Sequence, residues 1–305
     1  MSLDELAAKM KTSPISLFYG AGVSIACGGP TWDELVALIQ RNFSVTTKND
    51  FFSLMQEVIG WNDTNRAEAE AFIRKRLAAI SPKGDQKYLF SIPWKTILTT
   101  NYDHLPDIIG STLDGSRQVI PIADPEREVN QLRDDHLYCF KLLGDSQYSF
   151  PQGGWMVLST SDLFSESERR TSFFKKFRAL AISGHIIYLG YSFKDDLVFL
   201  LLSHMKKVLQ TFPWKGFAII PDEPDSETKK KLESVGITWV KGTLEDFVKS
   251  AKKVLGDTPS SGPVDVGCLT LHGQTVDIDR SVFSNIKSKF SILHEDLMKS
   301  SSEKI

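Results

Sequence analysis

The feature that most constrains this chain is a series of short runs that are apolar on consecutive positions. Ile15–Tyr19, Thr96–Thr100, Leu137–Leu143, Ile186–Leu189, Phe217–Ile220 and Ile237–Val240 are rich in β-branched and aromatic residues, and each is bounded by turn residues or charges. A strand with one wet face alternates apolar and polar residues. A strand covered on both faces does not, which is the condition inside a parallel sheet flanked by helices. Helical patterns separate the runs, at Thr31–Phe43, Ala67–Ile80, Phe173–Ile182, Leu197–Leu209 and Ser226–Val235. The alternation predicts an α/β fold: a Rossmann-like, doubly wound, mostly parallel sheet.

The interval from Asn42 to Lys95 has helical patterning and no strand pattern, and reads as a helical insertion over one end of the sheet, at about residues 42–95. The main domain is expected to cover residues 1–257, followed by a linker at 258–263 (Thr-Pro-Ser-Ser-Gly-Pro) and a C-terminal arm at 264–305. Within the arm, Gly267–Ile278 reads as a strand pair and Ser281–Met298 as an amphipathic helix suited to docking or oligomerisation.

Composition narrows the function classes. With 36 Lys+Arg against 38 Asp+Glu in 305 residues, the formal charge of −2 gives no global electrostatic case for nucleic acid or an anionic membrane. The cysteines, Cys27, Cys139 and Cys268, form no CxxC pair, so a zinc ribbon is excluded and a reducing compartment is favoured. No apolar run approaches the ~20 residues that a membrane helix needs, and the first residues lack a signal-peptide pattern. A cytoplasmic protein is the expectation.

Two motifs carry chemistry. In the first, an apolar strand runs into Gly20-Ala21-Gly22-Val23-Ser24, and a helix signal follows. Glycines at such a turn let the backbone approach a pyrophosphate, and a helix start favours its charge. A tight turn with no ligand explains the same residues. The second is Thr99-Thr100-Asn101-Tyr102-Asp103, a buried strand ending in polar side chains where open α/β sheets place their ligands. Asn101 offers a donor and an acceptor on one rigid amide. Asp103 could accept from an amide ligand or cap the next helix.

Taken with Lys141-Leu142-Leu143-Gly144-Asp145 and Gly190-Tyr191-Ser192-Phe193-Lys194-Asp195, these motifs resemble the sirtuin superfamily over residues 15–200. The likeness is nearest to the sirtuin-like domains of bacterial antiphage defence, such as the Thoeris effector. The resemblance implies binding of NAD⁺ and cleavage of its nicotinamide–ribose bond, with no metal. Gly20, Ala21, Gly22 and Ser24 would hold the pyrophosphate, with Thr100 and Gly190 lining the cofactor and Ser192 near the adenosine-side ribose or phosphate. Asn101 would hold the nicotinamide ribose and align water, and Asp103 would contact the carboxamide. It also implies an effector regulated by homo-oligomerisation or by a separate defence partner, a HerA-type ATPase or an Argonaute-type protein.

The sequence departs from the family at two places. The zinc cysteines of the protein deacylases are missing, so no zinc module is expected. Leu143 stands where the family pattern Lys-x-His-Gly has its general base. Loss of one general base costs ~10²–10⁴-fold, which leaves room for a hydrolase that works without it and for an NAD- or ADP-ribose-binding pseudoenzyme serving as sensor or scaffold. No other histidine is an evident substitute. His104 reads as structural or capping, His136 as a loop residue, His272 as a hairpin residue far along the chain, and His185, His204 and His294 as surface or core positions. Lys141 reads as a phosphate or carboxylate partner rather than a base. A DNA-handling role would call for a metal-binding acid cluster, and Asp195-Asp196 alone is not one.

Overall fold

The computed structural model describes residues 1–46, 51–60, 62–112, 118–124, 136–166, 184–191, 193 and 215–257, and the backbone of 266–271 and 274–279. The expected linker, the segments Phe173–Ile182, Leu197–Leu209 and Ser281–Met298, and Ser192 lie outside the described residues.

The strands are β1 (Ile15–Tyr19), β2 (Ile97–Thr99), β3 (Gln118–Ile122), β4 (His136–Lys141), β5 (His185–Leu189), β6 (Gly216–Ile220) and β7 (Ile237–Lys241). They form one seven-stranded sheet in the order β3-β4-β2-β1-β5-β6-β7, with every pairing parallel. The expected Rossmann-like α/β sheet is therefore present. Its strand residues divide by parity between two cores. Leu17, Tyr19, Ile97, Cys139, Ile187, Leu189, Phe217 and Ile219 enter one, and Phe18, Leu98, Phe140, Ile186, Tyr188 and Ala218 enter the other. Both faces are dry, which is why the runs lack alternation.

The sequence reading missed β3. It is an edge strand, half buried and carrying Pro121, a residue that cannot donate to a ladder and is tolerated at a sheet margin. His136, read as a loop residue, opens β4 and stacks on Tyr138.

Helices among the described residues are α1 (Leu3–Lys9), α2 (Ala21–Ile25), α3 (Trp32–Phe43), α4 (Phe51–Ile59), α5 (Asp63–Leu77), α6 (Gly84–Ser91), α7 (Leu105–Gly110), α8 (Thr160–Glu166), α9 (Ser226–Ser234) and α10 (Leu244–Leu255). Local sequence sets several starts. Ser2 with Glu5, Thr31 with Glu34 and Thr243 with Asp246 each form a reciprocal capping box, satisfying helix-start amides that have no partner of their own. The first core is covered by α1, α6, α7 and α10 through Leu6, Leu89, Ile109 and Phe247.

The helical insertion is real, and no strand occurs in it among the described residues. With Leu35 and Ile39 of α3, its Phe52, Met55, Ala69 and Ile73 build a third core against Tyr102, Leu143 and Met156–Leu158. Those last residues follow β2 and β4, so the insertion sits over the carboxyl edge of the sheet. Separately, Val266–Leu271 and Gln274–Asp279 form an antiparallel pair in the expected arm.

Candidate functional site

In this strand order the chain leaves β1 toward β2 on one side and later returns to β5 on the other. The change of direction opens a crevice at the carboxyl ends of β1 and β5, where doubly wound sheets bind their ligands. The motif residues converge on this edge. An open groove of about 590 Å³ lies at the opposite pole, lined by Lys9, Lys215 and Phe217 among others, and holds none of them.

At the crevice the β1 and β5 turns touch backbone to backbone. The Gly20 amide donates to Leu189 O at 2.9 Å and the Gly22 amide to Gly190 O at 2.8 Å. A Cβ on Gly20 would stand 2.6 Å from Gly190 O, and one on Gly22 would stand 2.7 Å from Gly190 Cα. Gly190 itself has φ +67°, a left-handed conformation that favours glycine. The three glycines thus let two turns close on one another. Because two loop amides are used in that closure and α2 has only five residues, less of the loop is available to an anion than a Gly-x-Gly pattern suggests. The Ala21 amide has no acceptor among the described residues.

Beside this closure lies a polar relay. Ser24 Oγ donates to Asp103 Oδ2 at 2.7 Å and accepts from Asn101 Nδ2 at 3.0 Å. The Asn101 amide donates to Thr99 Oγ1 at 3.0 Å, and that hydroxyl donates to Tyr19 O at 2.9 Å. Asp103 is 3% exposed, and its Oδ1 accepts from the Leu105 amide, so it caps α7 while anchoring Ser24. Asn101 Oδ1 accepts from no donor among the described residues and is not sealed from solvent. The relay therefore presents one free acceptor at the crevice, on an amide whose other end is fixed.

Beneath the Asn101 turn, Lys141 is fully buried at the end of β4. Its ammonium donates to the carbonyls of Tyr102 and Asp103 and pairs with Asp145. Of the phosphate or carboxylate partners expected of Lys141, the structure pairs it with a carboxylate of the protein itself, and the amine is spent inside. His104 shares a 2.6 Å hydrogen bond with Ser146 Oγ through Nε2 and lies 3.4 Å from Asp145 through the same nitrogen. One nitrogen serving both groups is not a proton relay. On the same helix Asp107 accepts from Gln147 at 3.1 Å, and burial pushes its carboxyl above the ordinary range.

Leu143, 7% exposed, packs into the third core with Tyr102 and Met156–Leu158. The position that would hold the family base is a packing position here.

The segment after β4 is held by α5. Arg66 makes a bidentate pair with Asp162 at 2.8 and 3.0 Å, donates to Met156 O at 3.1 Å and to Glu70 at 3.2 Å, and lies against the rings of Phe150 and Trp155, which meet each other edge to face. Burial raises the Glu70 carboxyl, against the pull of the Phe150 amide and Arg66. Sequence reasoning missed Thr99, Tyr102 and Arg66. Thr99 was visible in the motif, whereas Arg66 gave no signal because its partners are about ninety residues away in sequence.

A family profile described as a SIR2-like domain matches residues 95–240. The chain is 26% identical over 212 residues to NAD(+) hydrolase ThsA of Acinetobacter baumannii (strain 532279), covering 67% of this chain and 42% of that protein. It is 26% identical over 232 residues to NAD(+) hydrolase ThsA of Bacillus cereus (strain MSX-D12), covering 71% of this chain and 46% of that protein. The chain thus spans less than half the length of either relative. The parallel sheet and these matches make the chain similar to SIR2-like proteins, with the profile match confined to residues 95–240.

Proposed function

We propose that the chain is an NAD⁺ glycohydrolase-type effector that cleaves NAD⁺ to nicotinamide and ADP-ribose. The observation that carries the reading is the Asn101–Ser24–Asp103 relay, which leaves Asn101 Oδ1 open at the crevice while fixing its amide. The names of the two ThsA relatives support NAD⁺ as the substrate.

The bond broken is C1′–N of the nicotinamide riboside, and the bond formed is C1′–O from water. Nicotinamide leaves with the electron pair, so an oxocarbenium-like ribose develops before water adds. Positioning and electrostatics supply most of such a barrier reduction. Asn101 Oδ1 accepts from the ribose or the incoming water, Ser24 and Asp103 hold Asn101, and the Ala21 amide is available to phosphate. The proton of the attacking water passes to solvent. Activity in antiphage defence, controlled by oligomerisation or by a separate partner of HerA-type ATPase or Argonaute type, extends the same reading and is supported by the motif resemblance alone.

The buried Leu143 favours a second reading, an NAD- or ADP-ribose-binding sensor without turnover. Nicotinamide release from NAD⁺ by the concentrated protein, read by chromatography with Asn101→Ala as control, separates the two. Release that vanishes in the variant supports hydrolysis. Thermal stabilisation by NAD⁺ without release supports the sensor.

A further inference from the structure

We propose that Tyr102 is a positioning residue for Asn101, and that through it the helical insertion sets the geometry of the Asn101 turn. The proposal rests on reading Asn101 as the residue on which NAD⁺ cleavage depends.

The Tyr102 ring is buried in the third core, and its hydroxyl donates to Val157 O at 2.6 Å across 55 positions of sequence. Val157 is clamped on both sides. The preceding carbonyl, Met156 O, accepts from Arg66. The following amides, Leu158 N and Ser159 N, donate to Asp162 Oδ2 at 2.8 and 2.9 Å, and Asp162 is itself the bidentate partner of Arg66. One guanidinium on α5 therefore fixes the peptide groups flanking the acceptor at which Tyr102 is aimed. Arg74, two turns further along α5, donates to Ser146 O and to Ser149 Oγ, holding the near end of the same segment.

That segment in turn grips the Asn101 turn. The Ser146 amide donates to Tyr102 O at 3.0 Å, and Val157 N donates to Leu143 O at 2.8 Å. Asn101 is bonded to α2 through Ser24 and lies next in sequence to a residue tied at both hydroxyl and carbonyl to the segment after β4, which Arg66 and Arg74 of the insertion hold. A reacting group displaced by about 1 Å can lose ~10²-fold in rate, so a link of this kind bears on turnover rather than on affinity.

The test compares the full-length protein with Tyr102→Phe, which deletes only the hydroxyl, and with Arg66→Lys, which keeps the charge and loses the planar fork. Nicotinamide release should fall about tenfold in kcat for each, with KM within about twofold of the parent. The double variant should lose no more than the worse single one, because both break the same link. Amide exchange in peptides spanning residues 99–104 should quicken in both variants, with or without NAD⁺. Unchanged kcat in a folded Tyr102→Phe, or additive losses in the double variant, overturns the proposal. Should Arg66→Lys fail to fold, Tyr102→Phe carries the test by itself. If the parent releases no nicotinamide, the reading of Asn101 falls separately and exchange decides the link: faster exchange at 99–104 upholds it, unchanged exchange refutes it.

Discussion

Ser24 and Asp103, 79 positions apart, are joined by a 2.7 Å hydrogen bond from the serine hydroxyl to a buried carboxylate. This contact brings the turn after β1 to the turn after β2. It also explains why a serine follows the glycine pair, since only a short hydroxyl there can donate to Asp103 while accepting from Asn101.

Replacing Ser24 by alanine should weaken both turns. Asp103 keeps the Leu105 amide but loses its other hydrogen-bond donor, and an under-satisfied buried polar group costs about 1–3 kcal/mol. Denaturant titration should show a loss in that range, and nicotinamide release should fall at least about tenfold. A variant with full turnover would remove Ser24 from the site.

Gly22→Ala should damage the crevice without touching a charged group. The added methyl would lie 2.7 Å from Gly190 Cα, and forced overpacking of this kind costs about 1–3 kcal/mol. The variant should melt lower and bind NAD⁺ more weakly by calorimetry. Gly60→Ala, where no atom lies within 4 Å, is the spatial control, although its φ of +56° adds backbone strain. Equal NAD⁺ affinity in Gly22→Ala and the parent would contradict the close-contact account.

Restoring the family imidazole should fail. The 143 side chain is seated in the apolar core beneath the insertion, so Leu143→His would bury a polar ring among apolar side chains. Sequence comparison alone gives the opposite expectation, that this substitution raises turnover. The expected outcome is a lower melting temperature and no gain in nicotinamide release. A tenfold gain would mean that the ring reaches the crevice after all.

His185 gives a pH prediction. Burial, with Lys9 and Lys215 nearby, lowers its pKa from the ordinary 6.5. Below that ordinary value the unfolded chain takes up a proton before the folded protein does, so stability falls as pH drops through and below about 6.5. Glu70 and Asp107, both raised by burial, act with the opposite sign at lower pH, which makes the parent curve alone a poor test. The difference in melting temperature between parent and His185→Gln should therefore shrink as pH falls from 7.5 to about 5.5. A difference constant over that range would rule out a pKa difference at this histidine.

The sheet was legible because burial on both faces imprints consecutive apolar residues, and the helix starts because capping is local chemistry. The edge strand β3 was not legible, since a half-buried strand with Pro121 lacks the imprint. Ser24, Asn101 and Asp103 could be picked out from their spacing after strands, but not their mutual bonds. Lys141 could be assigned a phosphate or a carboxylate as partner, and the structure pairs it with Asp145. Tyr102 had no role in the sequence reading, because the Val157 carbonyl its hydroxyl meets is 55 positions away.

The sequence by itself determined the parallel α/β architecture, the helical insertion and the set of turns that meet at the carboxyl edge. Each is written in a local pattern of burial, capping or glycine. Tertiary structure alone decided that Leu143 is a core residue, that two glycine-loop amides close the β1 and β5 turns, and that Arg66 holds the segment to which Tyr102 is bonded. Those outcomes depend on which distant side chains share a hydrogen bond or a dry interior. Such pairings follow from chain topology, and no local pattern encodes them.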